Sequence, residues 1–136
     1  MAPPRPLILV VDDDPAVLGG LTFALESHQF DVRACASARA ARQAGPEAAD
    51  CMIIDQQLPD MSGLELLRLL RDDGVTAPAV LITTAPSPIL QRQAELEGVE
   101  IISKPLLTDA LYRAVQRLCS ATTDREAPRS QVRPAS

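Results

Sequence analysis

Leu7-Ile8-Leu9-Val10-Val11-Asp12-Asp13-Asp14-Pro15 is the stretch on which the fold turns. Five apolar residues give way at once to three acids and a proline. A short, continuous apolar run of this kind suits a strand buried on both faces of a sheet. Asp14 is a good N-cap and Pro15 a good first helical residue, so a helix follows the strand directly. Three further runs end in polar residues. Cys51–Ile54 is followed by Asp55, Ala79–Thr83 ends in a hydroxyl, and Ile101–Ser103 leads into Lys104–Pro105. In an open parallel sheet the carboxyl ends of the strands share one edge, and ligands bind there. Asp12, Asp13, Asp55, Thr83 and Lys104 therefore meet in one polar pocket, with the ingredients for a divalent cation and a phosphoryl group.

Outward from that stretch, strands alternate with helical patterns, the mark of βαβ units. The first helix carries Val17, Leu18, Leu21 and Leu25 on one stripe and ends near Ser27–His28. A second strand is expected at about Asp31–Ala36. Ser37 caps the next helix, which Gly45–Pro46 stops. Ser62 and Glu65 have capping-box spacing for a third helix, with Leu66, Leu67 and Leu70 inward and Asp73–Gly74 as its end. Ser87–Pro88 opens a fourth helix and Gly98 closes it. A short fifth strand, about Glu100–Ser103, precedes a fifth helix capped by Thr108 that buries Leu111, Val115 and Leu118. His28, the single histidine, falls at a helix C-terminus, where it complements the dipole. The fold class is α/β, a doubly wound five-stranded parallel sheet. Its strand order 2-1-3-4-5 is taken from the flavodoxin-like class.

The 136 residues suit one domain with one core, and the formal net charge of -5 argues against a nucleic-acid surface on this domain. Cys35, Cys51 and Cys119 have no metal-ligand spacing. An odd count without a framework suits a reducing compartment, and with no apolar run of membrane-spanning length the expected location is cytoplasmic. Residues 1–120 are read as the domain. Residues 121–136 hold one valine, two prolines and no periodicity, and are read as a disordered tail.

The ordered set Val10–Pro15, Asp55–Leu66, Leu81–Thr83 and Lys104–Pro105 resembles the receiver domain of two-component response regulators over about residues 5 to 120. The middle segment looks most like receivers of DNA-binding regulators from nitrogen- and oxygen-sensing systems. The resemblance implies that Asp55 is the phosphoacceptor, served by a histidine kinase or phosphotransfer protein. It implies Mg²⁺ held by Asp13, Asp55 and the backbone carbonyl of Gln57, with Asp12 acting directly or through water. Thr83 and Lys104 would each take one phosphoryl oxygen. Pro105 would follow a cis peptide bond. An output protein or a second copy would dock on the face of helix 4, strand 5 and helix 5. The chain would be no enzyme beyond its own phosphorylation and dephosphorylation, and no output domain fits in the tail. It would be a stand-alone receiver or one cut from a longer regulator.

Three features depart from the receiver pattern. The place three residues before the lysine is often aromatic, and here it is Ile101. The place after the threonine is commonly Ala or Gly, and here it is Thr84. The stretch from Gly98 to Lys104 is one residue shorter, which tightens the loop into strand 5. Two other readings stand beside the phosphoacceptor. One is a degenerate receiver that binds a partner without phosphorylation. The other is a haloacid-dehalogenase-type phosphatase using Asp12 as nucleophile within Asp12–Asp13–Asp14.

Overall fold

The computed structural model describes residues 5–104 and 110–120. Pro105, Thr108 and the tail 121–136 lie outside the described residues, and with them the cis bond, the fifth helix cap and the disordered tail expected above. The elements run β1 (Leu7–Val11), α1 (Pro15–Ser27), β2 (Asp31–Cys35), α2 (Ala38–Gln43), β3 (Cys51–Asp55), α3 (Gly63–Asp72), β4 (Ala79–Thr83), α4 (Pro88–Glu97) and β5 (Glu100–Ser103). A last helix, α5, covers residues 110–120. The five strands pair in parallel in the order β2-β1-β3-β4-β5, as expected.

Alternation along the central strands explains why they read as unbroken apolar runs. Leu9, Val11, Met52, Ile54, Ala79 and Leu81 face one core layer, covered by α2, α3 and α4. Ile8, Val10, Cys51, Ile53, Val80 and Ile82 face the other, covered by α1 and α5. Both faces are buried, so no polar alternation survives. Leu111, Val115 and Cys119 are buried in α5, and Leu118 packs at the edge of that layer, half-buried rather than buried.

Local chemistry sets the helix starts. The carboxylate of Asp14 accepts from Ala16 N at 2.9 Å, with Pro15 next in line. Ser37 accepts from Ala40 N, and Ser87 from Leu90 N. Ser62 and Glu65 form the full capping box. Gly98 ends α4 at φ 69, a left-handed conformation that glycine adopts without strain. His28 is the C-cap residue of α1, and its ring also lies against Tyr112 of α5, with centroids 4.0 Å apart.

Two boundaries differ from expectation. β2 stops at Cys35, one residue early, because the chain turns there toward the Ser37 cap. β3 runs one residue further, so that Asp55 pairs with Ile82 as the last residue of the strand. The backbone of Asp55 is thus fixed by the sheet. A single 3₁₀ turn at Pro46–Ala48 follows Gly45. Among the described residues no helix is long and apolar enough to cross a membrane.

Candidate functional site: an acidic pocket at the carboxyl edge of the sheet

β1, β3, β4 and β5 deliver their last residues, or the residues just after them, to one place. Carboxylate oxygens of Asp12, Asp13 and Asp55 lie within 4.8 Å of one another. Asp12 and Asp55 are buried and Asp13 is exposed at the rim. Asp12 Oδ1 accepts from Asp14 N at 2.9 Å, which orients the carboxylate. Its Oδ2 is buried without a hydrogen-bond partner among the described residues, 3.1 Å from Lys104 Nζ in an ion pair that lacks hydrogen-bond alignment. Asp55 Oδ1 accepts from Gln57 N at 3.2 Å, and Oδ2 accepts from Lys104 Nζ at 3.2 Å. One ammonium thus bridges two carboxylates.

Burial pushes the Asp55 carboxyl above its usual range, and the neighbouring Asp12 charge adds to that; the Gln57 N–H and Lys104 pull the other way without prevailing. Burial works against the Lys104 charge too, but Asp12 and Asp55 together outweigh it and hold the ammonium above its ordinary value. The pocket therefore concentrates negative charge that one cation only partly offsets.

Lys104 is placed by its backbone. Its N–H donates to Thr83 O at 2.8 Å, just past the point where β4 and β5 pair Thr83 with Ser103. The Thr83 side chain is buried, and its Oγ1 accepts from Ala85 N at 3.1 Å. That bond uses the oxygen as acceptor and leaves the O–H as a donor. Gln57 is exposed and lies two residues past Asp55, its N–H on the carboxylate. Thr84 is exposed. Ile101 is half-buried, and its side chain packs against the core layer under α4.

The stretch from the end of β3 to the first residue of α3 holds three residues whose work the sequence does not fully announce. A Cβ on Gly63 would lie 2.4 Å from the carbonyl oxygen of Asp55, so only glycine lets α3 start this close to the end of β3. The Gln56 side chain accepts from Leu64 N at 3.0 Å, and Gln56 O accepts from Gly63 N at 2.9 Å. Asp60 accepts from Ala38 N and Arg39 N at the start of α2. A glycine directly after the Ser62 cap was the available signal for the first. The other two span the fold or depend on a rotamer, and no local pattern marks them.

The donors suit a hard cation. They are carboxylate oxygens, one of them buried and without a hydrogen-bond partner among the described residues, the chemistry that Mg²⁺ takes together with retained waters.

The sequence pattern of the response regulator receiver domain matches residues 8–116. The chain belongs to that family. It is 32% identical over 121 residues to the transcriptional regulatory protein FixJ of Rhizobium meliloti, covering 85% of this chain and 59% of that protein. It is 34% identical over 127 residues to the transcriptional regulatory protein KdpE of Mycobacterium tuberculosis, covering 90% and 56%. The chain thus spans little more than half the length of these relatives. Among solved structures, a CheY-like receiver domain protein from Methanospirillum hungatei superposes with a TM-score of 0.81 at 25% identity, covering 89% of this chain and 98% of the other. The signal receiver domain of a putative LuxO repressor protein from Vibrio parahaemolyticus shares the fold, with a TM-score of 0.84 at 22% identity and 90% and 96% coverage.

Proposed function

We propose that residues 1–120 form a phosphoacceptor receiver domain in which Asp55 takes a phosphoryl group from a histidine kinase or phosphotransfer protein. The observation that carries this reading is the cluster of Asp12, Asp13 and Asp55 with Lys104 bridging two of them. Asp55 Oδ is the nucleophile: it bonds to phosphorus as the bond from phosphorus to the donor atom breaks, leaving an aspartyl phosphate. Phosphoryl transfer depends mainly on positioning and charge neutralisation, which this pocket is built to supply. Asp13, Asp55 and the Gln57 carbonyl, with Asp12 beside them, would hold Mg²⁺, which would supply positive charge to the phosphoryl oxygens. Lys104 moves from pairing carboxylates to pairing a phosphoryl oxygen, a short exchange for a flexible ammonium. The Thr83 O–H donates to another. The chain performs only its own phosphorylation and dephosphorylation.

Ile89 and Leu96 are 73% and 80% exposed on α4, seven residues apart and so on one face of the helix. An output protein or second copy is proposed to dock on α4, β5 and α5, and these side chains give α4 exposed apolar surface. A reducing, cytoplasmic setting agrees with three free cysteines, all buried.

Incubation with acetyl phosphate tests the reading. With Mg²⁺, the intact mass should rise by one phosphoryl group; with chelator, or in Asp55→Ala, it should not. A parent that takes no label under these conditions is a degenerate receiver, and the proposal fails.

A further inference from the structure

We propose that Asp60 is a positioning residue for the phosphoacceptor pocket: its carboxylate clamps the β3–α3 loop to the start of α2 and so fixes the stretch that carries Gln57. The inference rests on the phosphoacceptor reading above and adds to it a residue outside the pocket. Asp60 is exposed, where a carboxylate is ordinarily solvated and mobile. Here both oxygens are committed across the fold, Oδ1 to Ala38 N at 3.0 Å and Oδ2 to Arg39 N at 2.9 Å. Those bonds hold the Asp60 carboxyl below its usual range. They join residues more than twenty positions apart, so they do not arise from local turn geometry.

α2 has a cap of its own. Ser37 Oγ accepts from Ala40 N and Ser37 O accepts from Ala41 N. Asp60 takes the two N–H groups that Ser37 does not reach, and in doing so makes α2 an anchor for the loop. The rest of the loop explains why an anchor matters. Its near end is fixed by Gln56 N donating to Ile82 O at 2.9 Å and by Gln57 N on Asp55. Its far end is fixed by the α3 cap, and the Gln57–Ser62 bridge ties the two ends to each other. Between them, Leu58 and Met61 pack at the margin of the core, and Asp60 supplies the described polar bonds that tie the tip to another element. Freeing the tip lets Leu58–Met61 shift between the bridged residues, which strains the Gln57–Ser62 bridge and so displaces Gln57. Both the Gln57 N–H on Asp55 and the Gln57 carbonyl proposed for Mg²⁺ are then misplaced.

The test compares the full chain with Asp60→Ala, Asp60→Asn and Ser37→Ala. Mg²⁺ affinity is read by calorimetry and acetyl-phosphate labelling by intact mass. Groups that orient ligands from outside typically cost tenfold or more when removed, so Asp60→Ala should weaken Mg²⁺ binding and slow labelling by about tenfold. Asp60→Asn, which keeps one acceptor and the shape, should fall between parent and Ala; if Asp60→Ala fails to fold, this variant alone carries the comparison with the parent. Ser37→Ala loosens α2 without touching the loop, and should lose thermal stability while binding and labelling as the parent does. Parent-like Mg²⁺ affinity in both Asp60 variants overturns the proposal. So does a loss in Ser37→Ala equal to that in Asp60→Ala, because general loosening of α2 would then explain it. A parent that binds Mg²⁺ but takes no label overturns the phosphoacceptor reading instead, and the affinity series still decides the role of Asp60.

Discussion

Lys104 carries the cation that partly offsets the acids of the pocket. Its ammonium stands between two buried carboxylates, 3.1 and 3.2 Å away. Removing one partner of a buried ion pair typically costs about 3–5 kcal/mol, because the remaining charge stays in a poor solvent. Lys104→Met should therefore lower unfolding free energy by about 3 kcal/mol in chelator, measured by urea denaturation. Added Mg²⁺ should restore more stability to the variant than it adds to the parent, since the acids it meets are less compensated. Equal stability of variant and parent in chelator would mean that the bridge carries little. Gly63 is the second residue of consequence. A Cβ there meets the Asp55 carbonyl, which belongs to a sheet-bound strand and cannot move cheaply. Gly63→Ala should cost about 1–3 kcal/mol by overpacking and should slow labelling of Asp55 as well. A thermal melt and a labelling time course read the two effects separately.

At the scale of elements, helix starts were legible because each is written in a few adjacent residues. Asp14–Pro15, Ser37, Ser62–Glu65 and Ser87–Pro88 all cap where their spacing places them. The 3₁₀ turn at Pro46–Ala48 was not legible, since three residues carry no periodicity and Gly45–Pro46 reads only as a stop. The clamp from Asp60 to α2 was not legible either, because sequence carries no sign of which distant N–H a carboxylate will meet. It has a pH signature. Asp60 titrates below its ordinary value when folded. Its bonds therefore add stability above the unfolded carboxylate pKa and lose it as pH falls through the lowered folded value. The melting-temperature gap between parent and Asp60→Ala should be widest near neutrality and close as pH drops below about 4. A gap that stays constant to low pH would show that the charged carboxylate is not what holds the loop.

For the whole molecule, the sheet order brings four separate strand ends into one pocket, and that convergence was legible from the polar residue closing each apolar run. Packing on the two faces was legible too, because continuous apolar strands require cover on both sides. On the proposed phosphoacceptor reading, Ile101 decides how a signal would leave the pocket. It is half-buried and packs against the core layer under α4, and an aliphatic side chain has no ring to swing. Thr83, bonded through Oγ1 to Ala85 N, leads instead into the loop before α4. Hydrogen bonds to a charged group contribute about 1.5–3 kcal/mol each, so the contacts proposed for Thr83 and Lys104 on a phosphoryl group would together approach the ~5.5 kcal/mol that turns a 1:99 equilibrium into 99:1. Beryllofluoride, a phosphoryl mimic, should shift the NMR signals of residues 84–89, and Thr83→Ala should sharply reduce those shifts. Shifts confined to Asp12, Asp13 and Asp55 would contradict this route.

Identifying the phosphorylated atom tests the central claim most directly. Borohydride reduces an aspartyl phosphate to homoserine, which peptide mass spectrometry locates in the chain. After labelling with acetyl phosphate and Mg²⁺, homoserine should appear at position 55 alone. Homoserine at position 12 would point to phosphatase-type chemistry on the first strand, and label that resists borohydride would place the phosphoryl group on another kind of side chain; either result would contradict Asp55 as the acceptor.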